Sequence, residues 1–107
     1  MAKRPKYTLS FAPEAIDHLD LIEPKYHGLL RRTIKEQLTH TPAEETRNRK
    51  PLDQPAPFGA SWELRCGPDN RFRVFYDVDA ESQEVRVLAI GVKVRNRLSI
   101  GGEEYES

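Results

Sequence analysis

The residues of this chain best suited to chemistry are cations rather than nucleophiles or metal ligands. Arg65 and Arg73 fall in two successive alternating runs, Trp62-Glu63-Leu64-Arg65-Cys66 and Phe72-Arg73-Val74-Phe75-Tyr76-Asp77-Val78. Each lies on the side opposite Trp62, Leu64, Phe72 and Val74. Lys93 leaves a third run and begins a basic cluster with Arg95 and Arg97, while Lys50 ends another with Arg47 and Arg49. A guanidinium offers planar paired donors and an ammonium a compact point charge, so several converging on one surface can clamp a phosphate. On composition alone the plainer reading, solvated strand charges, carries more weight.

Other chemistries find little support. The chain has no phosphate-cradling glycine loop, no CxxC, no HExxH and no GxSxG. His18, His27 and His40 follow one another at spacings of nine and thirteen residues, which do not align them on one helical face. They read as solvated helix residues. Asp77 and Asp79 close a strand into a turn, a structural position. Cys66 lies on the apolar side of its run and reads as a small core residue. No cofactor is expected.

Positioning these groups falls to the stretch from Trp62 to Lys93. Two turn-forming breaks, Gly67-Pro68-Asp69-Asn70 and Asp79 to Glu84, divide it into three alternating runs, the pattern of half-buried strands in a meander. The last, Val85 to Ile90, is apolar on both faces at its centre and so predicts a central strand. Upstream, Tyr7 to Phe11 alternates as a first strand. Pro13 suits the first turn of a helix, and Ala12, Ala15/Ile16, Leu19 and Ile22 recur at helical spacing. Pro24 opens a second helix carrying Tyr26, Leu29/Leu30, Thr33/Ile34 and Leu38, which His40-Thr41-Pro42 stops. Residues 43–60, with Pro51, Pro55, Pro57 and Gly59, read as a long surface loop with at most a turn of helix near Ala43. Residues 96–107 read as a short tail broken by Gly101-Gly102.

The expected architecture is α+β in one domain, 1–107: an N-terminal strand, a two-helix hairpin and a three-stranded antiparallel meander. The helices pack on one face of a four-stranded sheet. Of the sheet orders open, the first strand beside the last makes the doubly apolar strand central.

The formal net charge is zero, which argues against gripping nucleic acid by bulk electrostatics. The distribution is uneven: the N-terminal half holds the excess of Lys and Arg, the C-terminal half the excess of Asp and Glu, much of it in Glu103, Glu104 and Glu106. Local basic patches can still bind phosphate. Met1 to Lys6 is basic but no apolar segment follows, so a secretory signal is not expected. A single cysteine suits a reducing cytoplasm, and no stretch is apolar enough to span a membrane.

Taken together, Trp62-Glu63-Leu64-Arg65, Arg71-Phe72-Arg73-Val74-Phe75-Tyr76 and Val87-Leu88-Ala89-Ile90-Gly91 resemble the core of the RelE/ParE toxin superfamily. Leu9-Ser10-Phe11-Ala12-Pro13-Glu14-Ala15 is similar to its opening strand–helix junction. The similarity covers about residues 7 to 100. It implies the toxin of a bacterial toxin–antitoxin pair, with a cognate antitoxin as partner. RelE-like members cut mRNA on the ribosome; ParE-like members inhibit DNA gyrase without cutting; a degenerate, non-toxic member is a third possibility. For the nuclease, the resemblance implies metal-free attack of the substrate's own 2′-OH on the adjacent phosphodiester. Arg65, Lys93 and Lys50 would then be catalytic, with Arg73, Arg47, Arg49 and Arg95 binding substrate. The family's tyrosine, eight residues after the glycine, falls on Ser99 here, and Tyr105 lies out of register.

Overall fold

The structure is a computed structural model describing residues 5–105; Lys3 and Arg4 of the basic N-terminus and Glu106 of the acidic tail lie outside the described residues. In chain order it contains strand β1 (Thr8–Phe11), helix α1 (Pro13–Asp20), a 3-10 turn (Pro24–Tyr26) and helix α2 (His27–Leu38). Strands β2 (Arg49–Pro51), β3 (Trp62–Cys66), β4 (Phe72–Asp79), β5 (Glu84–Val94), β6 (Arg97–Ile100) and β7 (Glu103–Tyr105) follow. The class is α+β, with two helices against a largely antiparallel sheet.

The sheet has seven strands rather than the four expected, in the order β2-β3-β4-β5-β6-β7, with β1 also pairing β5. Two segments read as irregular supply the difference. Residues Arg49–Pro51 leave the proline-rich loop to pair with β3, and the supposed tail folds back as β6 and β7. The β5–β6 hairpin turns at Arg95 and Asn96, both with positive φ, as a tight two-residue hairpin requires. Strand β5 is the spine. One edge pairs β4; the other pairs β1 in parallel through Glu84 to Val87, then β6 antiparallel from Gly91 to Val94. The first strand does lie beside the doubly apolar one.

Both faces of that strand are filled. Ala15, Leu19, Leu30, Ile34 and Leu38 from the helices pack on Leu64, Phe72, Val74, Tyr76, Val85, Val87 and Ile90. On the opposite face a second cluster joins Ala60, Phe75, Ala89 and Ile100, bordered by Leu52, Leu88, Leu98 and Tyr105. That face, read as open, is therefore part apolar, because β6 brings Leu98 and Ile100 over Gly91. A Cβ on Gly91 would sit 2.9 Å from Leu98 Cδ1 and 3.0 Å from Ile100 Cγ1, which explains glycine there.

A register shift between Phe75 and Tyr76 decides which residues of β5 face where. Phe75 pairs Ala89 and Tyr76 pairs Val87, so Leu88 is the extra residue of a bulge. Val85 and Val87 face the helices before it, Ile90 after it. Strict alternation would have put Lys93 on the helix side with Val87; the bulge moves it to the other face.

His18 is not solvated. It is 8% exposed, and its Nδ1 accepts the Ile90 N–H at 3.2 Å, in the gap where β5 changes partner from β1 to β6. Its ring meets Phe58 edge-on at 5.3 Å. Burial holds its pKa below the ordinary histidine value, with Asp17 and Glu14 pulling the other way. A folded-state pKa below the unfolded value means that stability is full above about pH 6.5 and falls as pH drops below it. His18→Asn, whose Oδ1 can accept the same bond without titrating, should flatten the decline in urea midpoint between about pH 7 and about pH 5. Equal declines in both proteins would count against this account. His27 Nε2 meets the Ile22 carbonyl at 2.7 Å, and His40 Nδ1 lies 3.3 Å from the Pro5 carbonyl.

Candidate functional site

Register places the predicted cations. Lys50 pairs Glu63, Glu63 pairs Phe75, Arg65 pairs Arg73, and Arg73 pairs Gly91. All these side chains share the face away from the helices. Beyond the bulge Lys93 joins them, one step diagonal to Arg73. Side chains in directly opposed pairs lie about 5 Å apart and diagonal neighbours about 7 Å, so Arg65, Arg73 and Lys93 form one group. Lys50 borders it across Glu63.

Arg65 and Arg73, opposed like charges, are held together by the carboxylate between them. Glu63 Oε1 accepts from Arg65 Nε and from Arg73 Nη1, each at 3.2 Å, and Arg73 Nε also donates to the Asn70 carbonyl at 3.1 Å. Exposure separates the two roles. The Arg65 side chain is 36% exposed and the Arg73 side chain 13%. Arg65 meets Glu63 through Nε and is the more exposed, whereas Arg73 is largely engaged with Glu63 and the Asn70 carbonyl. One buried carboxylate between two guanidiniums leaves the group net positive before Lys50 and Lys93 are added.

Arg49 does not belong with them. It pairs Leu64 on the helix side and is 6% exposed; its Nη1 donates to the Gln37 carbonyl at 2.6 Å and to the carbonyl and hydroxyl of Thr41. A cation among the last carbonyls of α2 is favoured by the helix dipole. The one-residue offset between neighbours in a strand sends Arg49 into the interior and Lys50 to the surface, so the expected substrate-binding role for Arg49 is corrected to a structural one. Arg47 lies exposed in the turn closed by the Thr46–Arg49 bridge. Arg95 lies in the β5–β6 turn, at the same end of the sheet as Arg65 and Lys93.

Charge is thus sorted along the strands. The end where β3 and β5 finish and β4 begins carries Arg47, Arg65, Arg71, Arg73, Lys93, Arg95 and Arg97. At the other end a cleft is lined by Asp77, Asp79, Glu81, Glu84 and Arg86. Asp77 Oδ1 accepts the Ser61 N–H at 2.8 Å, and Asp79 Oδ1 accepts those of Glu81 and Ser82 at 3.0 and 3.2 Å. Bonds from Ser82 hold the Asp79 pKa below its ordinary value. Burial pushes the Cys66 thiol up to about 11, against the pull of Arg73, so it is not an activated nucleophile.

An aromatic group missed by sequence register is Tyr105. Strand β7 returns antiparallel to β6 and pairs Tyr105 with Leu98, which pairs Lys93. Tyr105 therefore lies half-buried on the cationic face, two strands from Lys93, or about 10 Å. Ser99 pairs Val92 and faces the other way. The signal in the sequence was Gly101-Gly102 between two short runs, a turn rather than a break; both glycines have positive φ.

No family model matches this chain, and no curated protein matches it. Among solved structures it is similar to a chain of the RelBE2 toxin–antitoxin complex from Mycobacterium tuberculosis. The match covers 87% of this chain and 98% of that one, with 22% sequence identity and a TM-score of 0.69. The protein has the fold seen in that complex.

Proposed function

We propose that this protein is the toxin of a toxin–antitoxin pair and that it cleaves mRNA on the ribosome. What supports the reading is that Arg65, Lys93 and Lys50 share one sheet face with Tyr105. Arg65 would bind the scissile phosphate through its terminal nitrogens and stabilise charge developing on the phosphorane; Lys93 would add a second positive charge from across β4. Lys50 would exchange the proton of the attacking 2′-OH or of the departing 5′ oxygen. The oxygen–phosphorus bond to the 2′ position forms as the bond to the 5′ oxygen breaks, which leaves a cyclic phosphate. Tyr105 would stack a base, and Arg73 would hold Glu63 and, through it, Arg65. Arg47 and Arg95 would meet flanking phosphates. Mapping mRNA 5′ ends after induction tests this: codon-phased cuts are expected, and growth arrest with intact transcripts would refute it.

A second reading, a non-enzymatic inhibitor of DNA gyrase, is favoured by the pairing of both arginines with Glu63. A supercoiling assay with purified protein separates the two, since a ribonuclease leaves gyrase untouched.

The Glu63 carboxylate competes with phosphate for its arginines. Glu63→Gln should therefore tighten binding to a single-stranded RNA oligonucleotide and steepen its salt dependence by about 0.7 in log–log slope, one phosphate contact. An unchanged slope would mean that the arginines do not meet RNA.

A further inference from the structure

Strand β5 pairs β1 as far as Val87 and β6 from Gly91, and the Ile90 N–H falls between the two. A backbone N–H only donates, so its bond to His18 fixes Nδ1 as an unprotonated acceptor at 3.2 Å. Protonation of that nitrogen sets one N–H against another and removes the bond. The same ring supports the β6–β7 turn: a Cβ on Gly101 would sit 3.0 Å from His18 Cδ2 and 3.3 Å from Nε2. Strand β5 thus presents the Ile90 amide to the ring, the turn Pro57–Gly59 presents Phe58, and the β6–β7 turn presents Gly101, none of them charged. Glu103, two residues beyond Gly101, pairs Ile100 on the cationic face. The carboxylates that act on His18 belong to its own helix: Asp17 and, one turn earlier, Glu14, both exposed. They favour the charged ring, whereas burial favours the neutral one. The hairpin resting on the ring is lightly held. Strand β6 meets β5 through four residue pairs, and β7, last in the sheet, meets β6 alone. Outer elements of this kind open at a lower free energy than the core.

We propose that His18 is a switch for the β6–β7 hairpin: neutral, it holds the turn against β5; protonated, it leaves the Ile90 amide for Glu14 and Asp17 and lets the hairpin open. The closed form binds the proton less readily than the open one, so closure is complete above about pH 6.5 and is lost as pH falls below it. Opening withdraws Leu98 and Tyr105 from the cationic face. Acid would therefore weaken RNA binding there, a consequence that rests on the function proposed above; the opening itself does not.

Amide hydrogen exchange of the full chain, corrected for the pH dependence of intrinsic exchange, reads the opening directly. Between about pH 7.5 and about pH 5.5 the opening constant of Arg97–Ile100 and Glu103–Tyr105 should rise by up to about tenfold, the limit for one group of ordinary histidine pKa in the open form. Amides of β4 should change far less. His18→Asn, which keeps an acceptor for Ile90 and cannot titrate, should abolish the rise. Glu14→Gln with Asp17→Asn, both at exposed positions, should move it to lower pH. Anisotropy of a labelled single-stranded RNA oligonucleotide should show weaker binding at the lower pH by the wild type relative to His18→Asn, a comparison in which His27 and His40 cancel. A rise shared equally by β4, a rise that persists in His18→Asn, or no rise at all would overturn the switch. Opening with no loss of RNA affinity would overturn its control of the cationic face. RNA bound at neither pH would sink the nuclease and leave the hairpin opening standing.

Discussion

Arg65→Ala should lower codon-phased mRNA cleavage by about 100- to 1,000-fold, the loss typical of removing one donor aimed at transition-state charge. The fold should survive, because Arg65 is a third exposed and its ion pair is of the partly solvated kind that contributes about 1 kcal/mol or less. The thermal midpoint therefore acts as the internal control, and an inactive variant with a wild-type midpoint locates the loss in chemistry. Arg65→Lys should recover only part of the activity. An ammonium restores charge but not the planar paired donors of a guanidinium. Lys93→Ala should act in the same direction. Cleavage undiminished in Arg65→Ala would remove the nuclease reading.

The largest effect on stability should come from Arg49, two positions from an arginine that can be removed almost freely. Arg49→Ala leaves the Gln37 carbonyl in the last turn of α2 and the Thr41 carbonyl just after it without their donor, in a part-buried setting. Charge-assisted bonds contribute about 1.5–3 kcal/mol each, and an unpaired buried acceptor costs a similar amount. The expected loss is about 3–5 kcal/mol, or roughly 15–25 °C in thermal midpoint for a domain of this size. The Tyr76 hydroxyl, which donates to the Pro42 carbonyl at 2.8 Å, belongs to the same layer and should loosen with it. Arg47→Ala, on the exposed turn, should change stability by less than about 0.5 kcal/mol. Guanidinium denaturation of the two variants side by side checks the contrast; equal midpoints would mean that Arg49 does not hold the end of α2.

That contrast also shows where sequence reading reaches its limit. Alternation in Trp62–Cys66 and Phe72–Val78 was enough to put Arg65 and Arg73 on one face, because a buried apolar set fixes the phase of a strand. For residues 43–60 there was no such set. Arg49–Pro51 contributes three residues to the sheet, one of them proline, and nothing in their types distinguishes strand from loop; only pairing with β3 sorts Arg49 inward and Lys50 outward. Lys93 reached the right face through a bulge at Leu88 that period-two counting cannot contain. The helices were legible from Pro13, Pro24 and their apolar stripes, whereas His18 was misread because its partner, the Ile90 amide, is seventy-two positions away. The β6–β7 hairpin was hidden by its brevity, and with it the placement of Tyr105.

The sorting of charge along the strands has a consequence that a net charge of zero conceals. Within the sheet the Arg65 end is positive and the Asp77–Glu84 cleft negative, so at close range a polyanion is drawn to the first and turned away from the second. The protein should bind heparin at low ionic strength and also an anion exchanger, by opposite ends, near the pH at which it does not migrate in an electric field. Orientation on approach, rather than overall attraction, is what this arrangement supplies.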